Sequence, residues 1–269
     1  MAGTAIDDAL PQSIQAFLKK SQVTLAELGQ STESELAVVH SSFYQTAMTL
    51  YKAVGPPEAF YTNALQYLHY TPLPTLEASV QYQLAQDMCL AALTGKGIYD
   101  FGQIVYHPAD VLSVLKGTEL EWLSTVMDVA VWGKVDEWKE LQKVHQADIE
   151  RQPALLGRMA FVDEKIALLA LVHMVFERES GSKTITFEQV AERVKISVEQ
   201  VELFLIRALA LELIKGTMDQ VDGTVDVTWV IPRVLDDANV AELAGRFKTW
   251  IDKTGSAREF MDEHQPAFS

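Results

Sequence analysis

From Ser13 to about Glu164, apolar residues recur at intervals of three and four, the spacing of a helix with one buried face. Glu35 to Ala53 carries Leu36, Val39, Phe43, Ala47, Leu50 and Tyr51 on one stripe, and Gly55-Pro56-Pro57 ends it. Glu58–Tyr70 predicts the next helix, closed by Pro72 and Pro74, and Leu76–Leu93 another, stopped by Gly95-Lys96-Gly97. Further helices are expected near Phe101–Val105, Ala109–Leu115, Thr118–Val131, Val135–Ile149 and Ala154–Met159. Helices of this length on short connections suggest an α-solenoid of TPR-like helical repeats, although no repeat period is strictly kept.

The pattern changes near residue 163. Asp163–Arg178 reads as a strongly apolar helix, followed by two helix-start signals. Thr186 with Gln189 fits a capping box, and Ile185 with Val190 the hydrophobic staple across it; Ser197 with Gln200 and Ile196 with Val201 repeat the arrangement. Helices over Phe187–Val194 and Val198–Ile214 make a helix-turn-helix. Gly216–Val221 and Thr224–Val230 then read as a hairpin about Asp222-Gly223, a pair suited to a type I′ turn. Val225, Val227 and Trp229 alternate with Thr224, Asp226 and Thr228 along the returning strand. Helix, helix-turn-helix and hairpin together predict a winged helix. Pro232 breaks the strand, and Asp236–Asp237 opens a last helix with Val240, Leu243, Phe247, Trp250 and Ile251 on one face. The expected fold is therefore mostly α. It comprises a helical-repeat domain (1–162), a winged-helix module (163–235), and a C-terminal helix and tail (236–269).

Composition narrows the function. An apolar fraction of 48% suits a globular chain, and no run approaches the roughly 18 apolar residues of a membrane span. Met1–Leu10 has no basic segment leading into an apolar one, so no secretory signal is read there. The single cysteine, Cys89, fits a reducing compartment. A formal charge of −15 repels phosphate backbones and anionic membranes, and the basic residues form no patch beyond Lys19–Lys20. The second helix of the helix-turn-helix offers Glu199, Gln200, Glu202, Arg207 and Glu212 where a DNA reader needs cations, so nucleic acid is not the expected partner.

Several segments are then recognisable. They are Phe60–Tyr61, Ala64–Leu68, Leu93–Gly102, His107–Pro108, Thr186–Glu188, Val201–Leu203, Lys215–Gly216, Asp219–Asp222 and, most specifically, Thr228–Leu235. From about Gln30 onward the chain resembles the PCI-domain non-ATPase lid subunits of the 26S proteasome regulatory particle. The resemblance implies a non-catalytic scaffold of the cytoplasm and nucleus. PCI subunits sit side by side through their winged helices, and their C-terminal helices gather in a bundle that drives lid assembly. Implied partners are neighbouring PCI subunits, the metalloprotease pair and a ubiquitin receptor. Family members carry roughly a hundred more N-terminal residues, a few further stacked helices, so part of the usual N-terminus is expected to be missing here. Scaffolds of the signalosome and of a translation-initiation complex share this architecture, and a winged-helix nucleic-acid binder is the alternative of a different class.

No catalytic, cofactor or metal site is expected. The six histidines form no H-x-H or H-E-x-x-H group, and His173 with Glu177 is a helical i,i+4 pair of the ordinary structural kind. Cys89 lies among apolar neighbours as a small hydrophobe. Thr94-Gly95-Lys96-Gly97 follows a helix and lacks a Ser or Thr after the lysine, so it is a helix end and not a phosphate loop. Two interface candidates remain: the wing strand as an unpaired edge (Thr224, Asp226, Thr228, Trp229), and the last helix's apolar face (Val240, Leu243, Phe247, Trp250, Ile251).

Overall fold

The computed structural model describes residues 14, 16–17, 20–25, 34–105, 111–178, 184–232 and 237–264; Met1–Leu10 and Ala109–Asp110 of the sequence reading lie outside them. The chain divides into a compact unit up to Pro232 and a second from Arg233.

The first unit begins, after helical residues 20–25, with α1 (Ser34–Val54), α2 (Pro57–Tyr70) and α3 (Ala78–Thr94), each packed on the next. Pro57 opens α2 at a position where a missing N–H costs nothing. A short α4 (Gly102–Val105) leads to a 3-10 turn, Ser113–Leu115, where a helix from Ala109 was expected. The expected helix at Thr118 begins only at Glu121. Gly117 is left-handed, and the Thr118 hydroxyl donates to Leu115 O at 2.7 Å, holding a turn ahead of α5 (Glu121–Trp132).

Gly133 ends α5 at φ +60°, its N–H on Ala130 O. A Cβ there would stand 2.3 Å from Ala170 N, so only glycine allows this close approach. The single helix expected over Val135–Ile149 is two, α6 (Val135–Val144) and α7 (Gln146–Glu150). His145 breaks it, its ring stacked on Trp122 and its Nδ1 3.1 Å from Asp148 Oδ2. Then come α8 (Pro153–Leu156) and α9 (Met159–Glu177), which starts a turn earlier than its apolar pattern suggested.

α9 is the hinge of the core. Val162, Ile166, Leu169 and Ala170 belong to the helical-repeat core, while Ala167, Leu168, Leu171 and Val172 belong to the winged-helix core. Being apolar on both sides, the helix serves both, and the division expected at residue 163 falls inside it.

The winged helix continues with β1 (Thr184–Thr186), α10 (Phe187–Val194), α11 (Val198–Ala210), β2 (Ile214–Asp219) and β3 (Thr224–Val230). The sheet order is β1-β3-β2, all antiparallel. The Thr186 capping box forms as expected, with Gln189 N–H donating to Thr186 Oγ1 at 3.4 Å and Thr186 N–H to Gln189 Oε1 at 3.3 Å. The second box does not: Ser197 makes no side-chain cap, and Gln200 N–H donates to its backbone carbonyl. α11 stops at Ala210, short of the expected Ile214, because Glu212 turns left-handed.

The hairpin also departs from expectation. Asp219 pairs with Thr224, so the loop has four residues, and of Asp222 and Gly223 only Gly223 has positive φ, which excludes a type I′ turn. The Asp219 carboxylate organises the loop instead, accepting from Val221 and Asp222 N–H at 2.9 and 3.1 Å.

The second unit is α12 (Asp237–His264), a helix of 28 residues, roughly 42 Å long at the α-helical rise.

Candidate assembly surfaces

β3 is the central strand of the wing, which corrects its reading as an unpaired edge. β1, too short to be seen in the sequence, pairs with Thr224–Asp226, and the Thr184 hydroxyl donates to the Asp226 carboxylate. Thr224 and Asp226 are therefore occupied on both sides. Beyond them β1 ends, leaving Thr228 and Trp229 bonded on the β2 side alone, and the fully open edge is the outer side of β2.

A bulge decides where Trp229 points. Lys215 pairs with Trp229 and Gly216 with Val227, so Thr228 is an extra residue. Gly216 is required beside it, since a Cβ would lie 2.0 Å from Asp226 O. Strict alternation would put Trp229 on the side of the buried Val225 and Val227. The bulge instead leaves it 42% exposed, with Lys215 Nζ 5.0 Å from its ring centre.

α11 presents Glu199, Gln200 and Arg207 to solvent, together with exposed Val198, Ile206 and Leu203, the last at 73%. Between α11, α9 and α6 lies a groove of about 490 Å³, its floor apolar through Val135, Trp138, Ala167 and Phe204. Its polar groups are largely paired. Trp138 Nε1 and Gln142 Nε2 both donate to Asp163 Oδ1, at 2.7 and 2.6 Å, Arg207 pairs with Glu164, and Lys195 with Asp136 at 3.4 Å. No local sequence signal marks this groove, because its walls come from helices about sixty residues apart.

On α12, Val240, Leu243, Phe247, Trp250 and Ile251 are all exposed, Trp250 at 64%. An apolar face of this size left to solvent favours association.

The residues weighed as chemistry sit as follows. Cys89 is fully buried, and burial pushes its thiol up to about 12, far from a reactive thiolate. His173 Nε2 stands 3.3 Å from Glu177 Oε1, whose other oxygen accepts from Arg193 at 3.1 Å, so the pair belongs to a polar chain bracing α9 and α10. Among the described residues, no group of three or more His, Cys, Asp or Glu could hold a metal ion, and no helix is long and apolar enough to cross a membrane. Thr94 and Gly95 close α3, whose final carbonyls are met by the buried Lys165 and the exposed Arg158. Lys165 Nζ donates to Ala92 O at 2.5 Å and Gly95 O at 2.9 Å, and Arg158 to Thr94 O at 2.8 Å. Sequence reasoning missed Lys165, which looks like a polar interruption in an apolar helix.

A helical-repeat arm, a winged helix sharing α9 with it, and a terminal helix with an apolar face define a PCI-domain protein, and the PCI domain model matches residues 141–229. The model of PSD13 N-terminal repeats matches residues 5–127. Over these segments the chain resembles 26S proteasome non-ATPase regulatory subunit 13. It is 38% identical over 228 residues to that subunit's homolog B in Arabidopsis thaliana, covering 85% of this chain and 58% of the relative. It is 29% identical to the Dictyostelium discoideum subunit 13, over 98% of this chain and 68% of the relative. Similarity to eukaryotic translation initiation factor 3 subunit M of Neosartorya fischeri is weaker, 21% over 199 residues, covering 74% of this chain and 42% of that protein. The chain thus spans little more than half the length of the plant relative.

Proposed function

We propose that this chain is a non-catalytic scaffold of the 26S proteasome regulatory-particle lid, working in the cytoplasm and nucleus and supporting ubiquitin-dependent degradation through lid assembly. The observation that carries this reading is the pairing of a PCI winged helix with a terminal helix whose aromatic face stays exposed. Two surfaces would dock other lid subunits. One is the wing, through the outer edge of β2 and the Thr228–Trp229 end of β3. The other is the face of α12 bearing Val240, Leu243, Phe247, Trp250 and Ile251. Neighbouring PCI subunits, the metalloprotease pair and a ubiquitin receptor are the proposed partners. The carboxylates on α11 favour a protein partner over nucleic acid.

Affinity purification of the tagged chain, with mass spectrometry of its partners, tests the assignment. Recovery of lid subunits is expected, and recovery of initiation-factor or signalosome subunits alone would overturn it. Removing residues 240–269 should leave a folded first unit, which has its own two cores, but one that no longer enters the lid. Normal incorporation of that truncation would exclude α12 as an assembly element.

A further inference from the structure

Three helices enclose the groove between α6, α9 and α11 as a trough with one side open. Asp136 at the start of α6 pairs with Lys195 just ahead of α11, so the two walls begin together. They also end together, since Gln142 of α6 and Arg207 of α11 meet Asp163 and Glu164, neighbours near the start of α9. The walls therefore run in one sense. α9, whose Ala170 lies against Gly133 just ahead of α6, runs the other way beneath them. A further helix on the open side, parallel to α9, would be antiparallel to both walls, as in a four-helix bundle.

The lining decides between an extended and a helical occupant. Helical walls have their backbone N–H and C=O groups bonded internally and offer an extended peptide nothing to pair with. Its own backbone would lie unpaired against Trp138, Ala167 and Phe204, whereas a helix arrives with its backbone satisfied. Val135 to Gln142 spans about 10 Å along α6, the length of two turns. Leu203 stands exposed on the α11 rim, placed to close over the flank of such a helix.

Charge sets the polarity of the occupant. Glu164 is paired with Arg207 and Lys195 with Asp136, and Lys139 is exposed on the α6 rim, where its ammonium reaches water. Asp163 differs. Trp138 and Gln142 both donate to its Oδ1 and fix the carboxylate, while no other described residue donates to its Oδ2. A pinned carboxylate with one open oxygen, at the end of an apolar trough, selects a cation. It also favours a helix N-terminus at that end, the same direction that the bundle arrangement requires. This chain does not supply such a helix. Every described helix of eight residues or more opens without a Lys or Arg in its first turn.

We infer that the trough seats a short amphipathic helix of another protein, with Arg or Lys in its first turn on Asp163 and apolar residues about four and seven positions later. Those apolar residues lie on Trp138, Ala167 and Phe204, under Leu203. The inference uses neither surface proposed above for lid docking.

The test uses the full chain and three fluorescein-labelled, lactam-bridged helices of twelve residues. The first has arginine in its first turn and leucine four and seven positions later, the second has glutamate for arginine, and the third is the first sequence reversed. By anisotropy the first should bind with a Kd on the order of tens of micromolar, and the other two roughly tenfold more weakly. Asp163→Asn, which keeps an oxygen for Trp138 and Gln142, should bring the first two within about threefold of each other. Leu203→Ser, at an exposed position, should weaken the first about fivefold without moving the urea midpoint. No binding of the first, equal binding of the arginine and glutamate helices, a preference that survives Asp163→Asn, equal binding of the reversed helix, or a homodimer abolished by Leu203→Ser would each overturn the proposal. Any of these results leaves the lid assignment standing, and purification without lid subunits would sink that assignment and leave the trough untouched.

Discussion

Lys165 makes the stability of the first unit depend on pH in a direction opposite to its thiol. Its ammonium is 1% exposed, held by Ala92 O and Gly95 O and lying 5.5, 5.2 and 5.8 Å from the ring centres of Tyr99, Phe101 and Phe161. Dehydration lowers its pKa from 10.5 to about 7, with Glu58 pulling the other way. The unfolded chain therefore binds more protons than the folded one between those two values, and stability rises with pH across that window. Between about pH 7 and about pH 8.5 the gain is roughly 1.5 kcal/mol, a little less than one full proton's slope because the folded amine is itself half charged at the lower end. Above about pH 9 the gain flattens, because Cys89, raised from 9.0 to about 12, keeps a proton that the unfolded thiol has lost and so offsets the Lys165 slope. The assay is urea denaturation at fixed ionic strength in half-unit steps between those limits, for the native chain and Lys165→Met. Methionine fills the same space without titrating. It leaves two carbonyls without a donor while removing a dehydrated charge, two opposing terms, so the discriminating quantity is the slope and not the absolute stability. The native chain should gain its ~1.5 kcal/mol and the variant less than about 0.3. Parallel profiles would refute the assignment of the pH dependence to Lys165.

Gly133→Ala forces a side chain into a left-handed site and against the Ala170 backbone, so the urea midpoint should fall by the equivalent of about 2–4 kcal/mol; an unchanged midpoint would mean α5 and α9 can separate freely. Thr186→Ala removes the capping-box acceptor of α10 and should cost about 1 kcal/mol, while Ser197→Ala, which has no side-chain cap to lose, should cost less than half of that in the same denaturation series. Gly245→Ala with Gly255→Ala should slow amide exchange within α12 by an amount equivalent to about 1 kcal/mol per substitution, leaving exchange in α3 and α9 unchanged.

Features set by neighbours within one turn were legible in the sequence. The Thr186–Gln189 box, the Gly55-Pro56-Pro57 stop after α1, the winged-helix order and the apolar face of α12 all depend on close neighbours in the chain, where backbone geometry alone fixes who meets whom. Even nearby rules failed where a competing group intervened. His145 left its helix to stack on Trp122, and Asp219 took over a turn that Asp222-Gly223 had seemed to specify. Tertiary structure alone decided the rest. β1 is three residues long and exists because β3 offers it an edge, which turns the expected edge strand into the middle one. Trp229 faces outward because Gly216 lies against the Asp226 carbonyl across the strands. Lys165 reaches carbonyls 73 and 70 residues earlier in the chain, and no window of sequence holds both ends of that contact. The apolar face of α12 was written in its spacing, because residues three and four apart share one side of a helix wherever it lies.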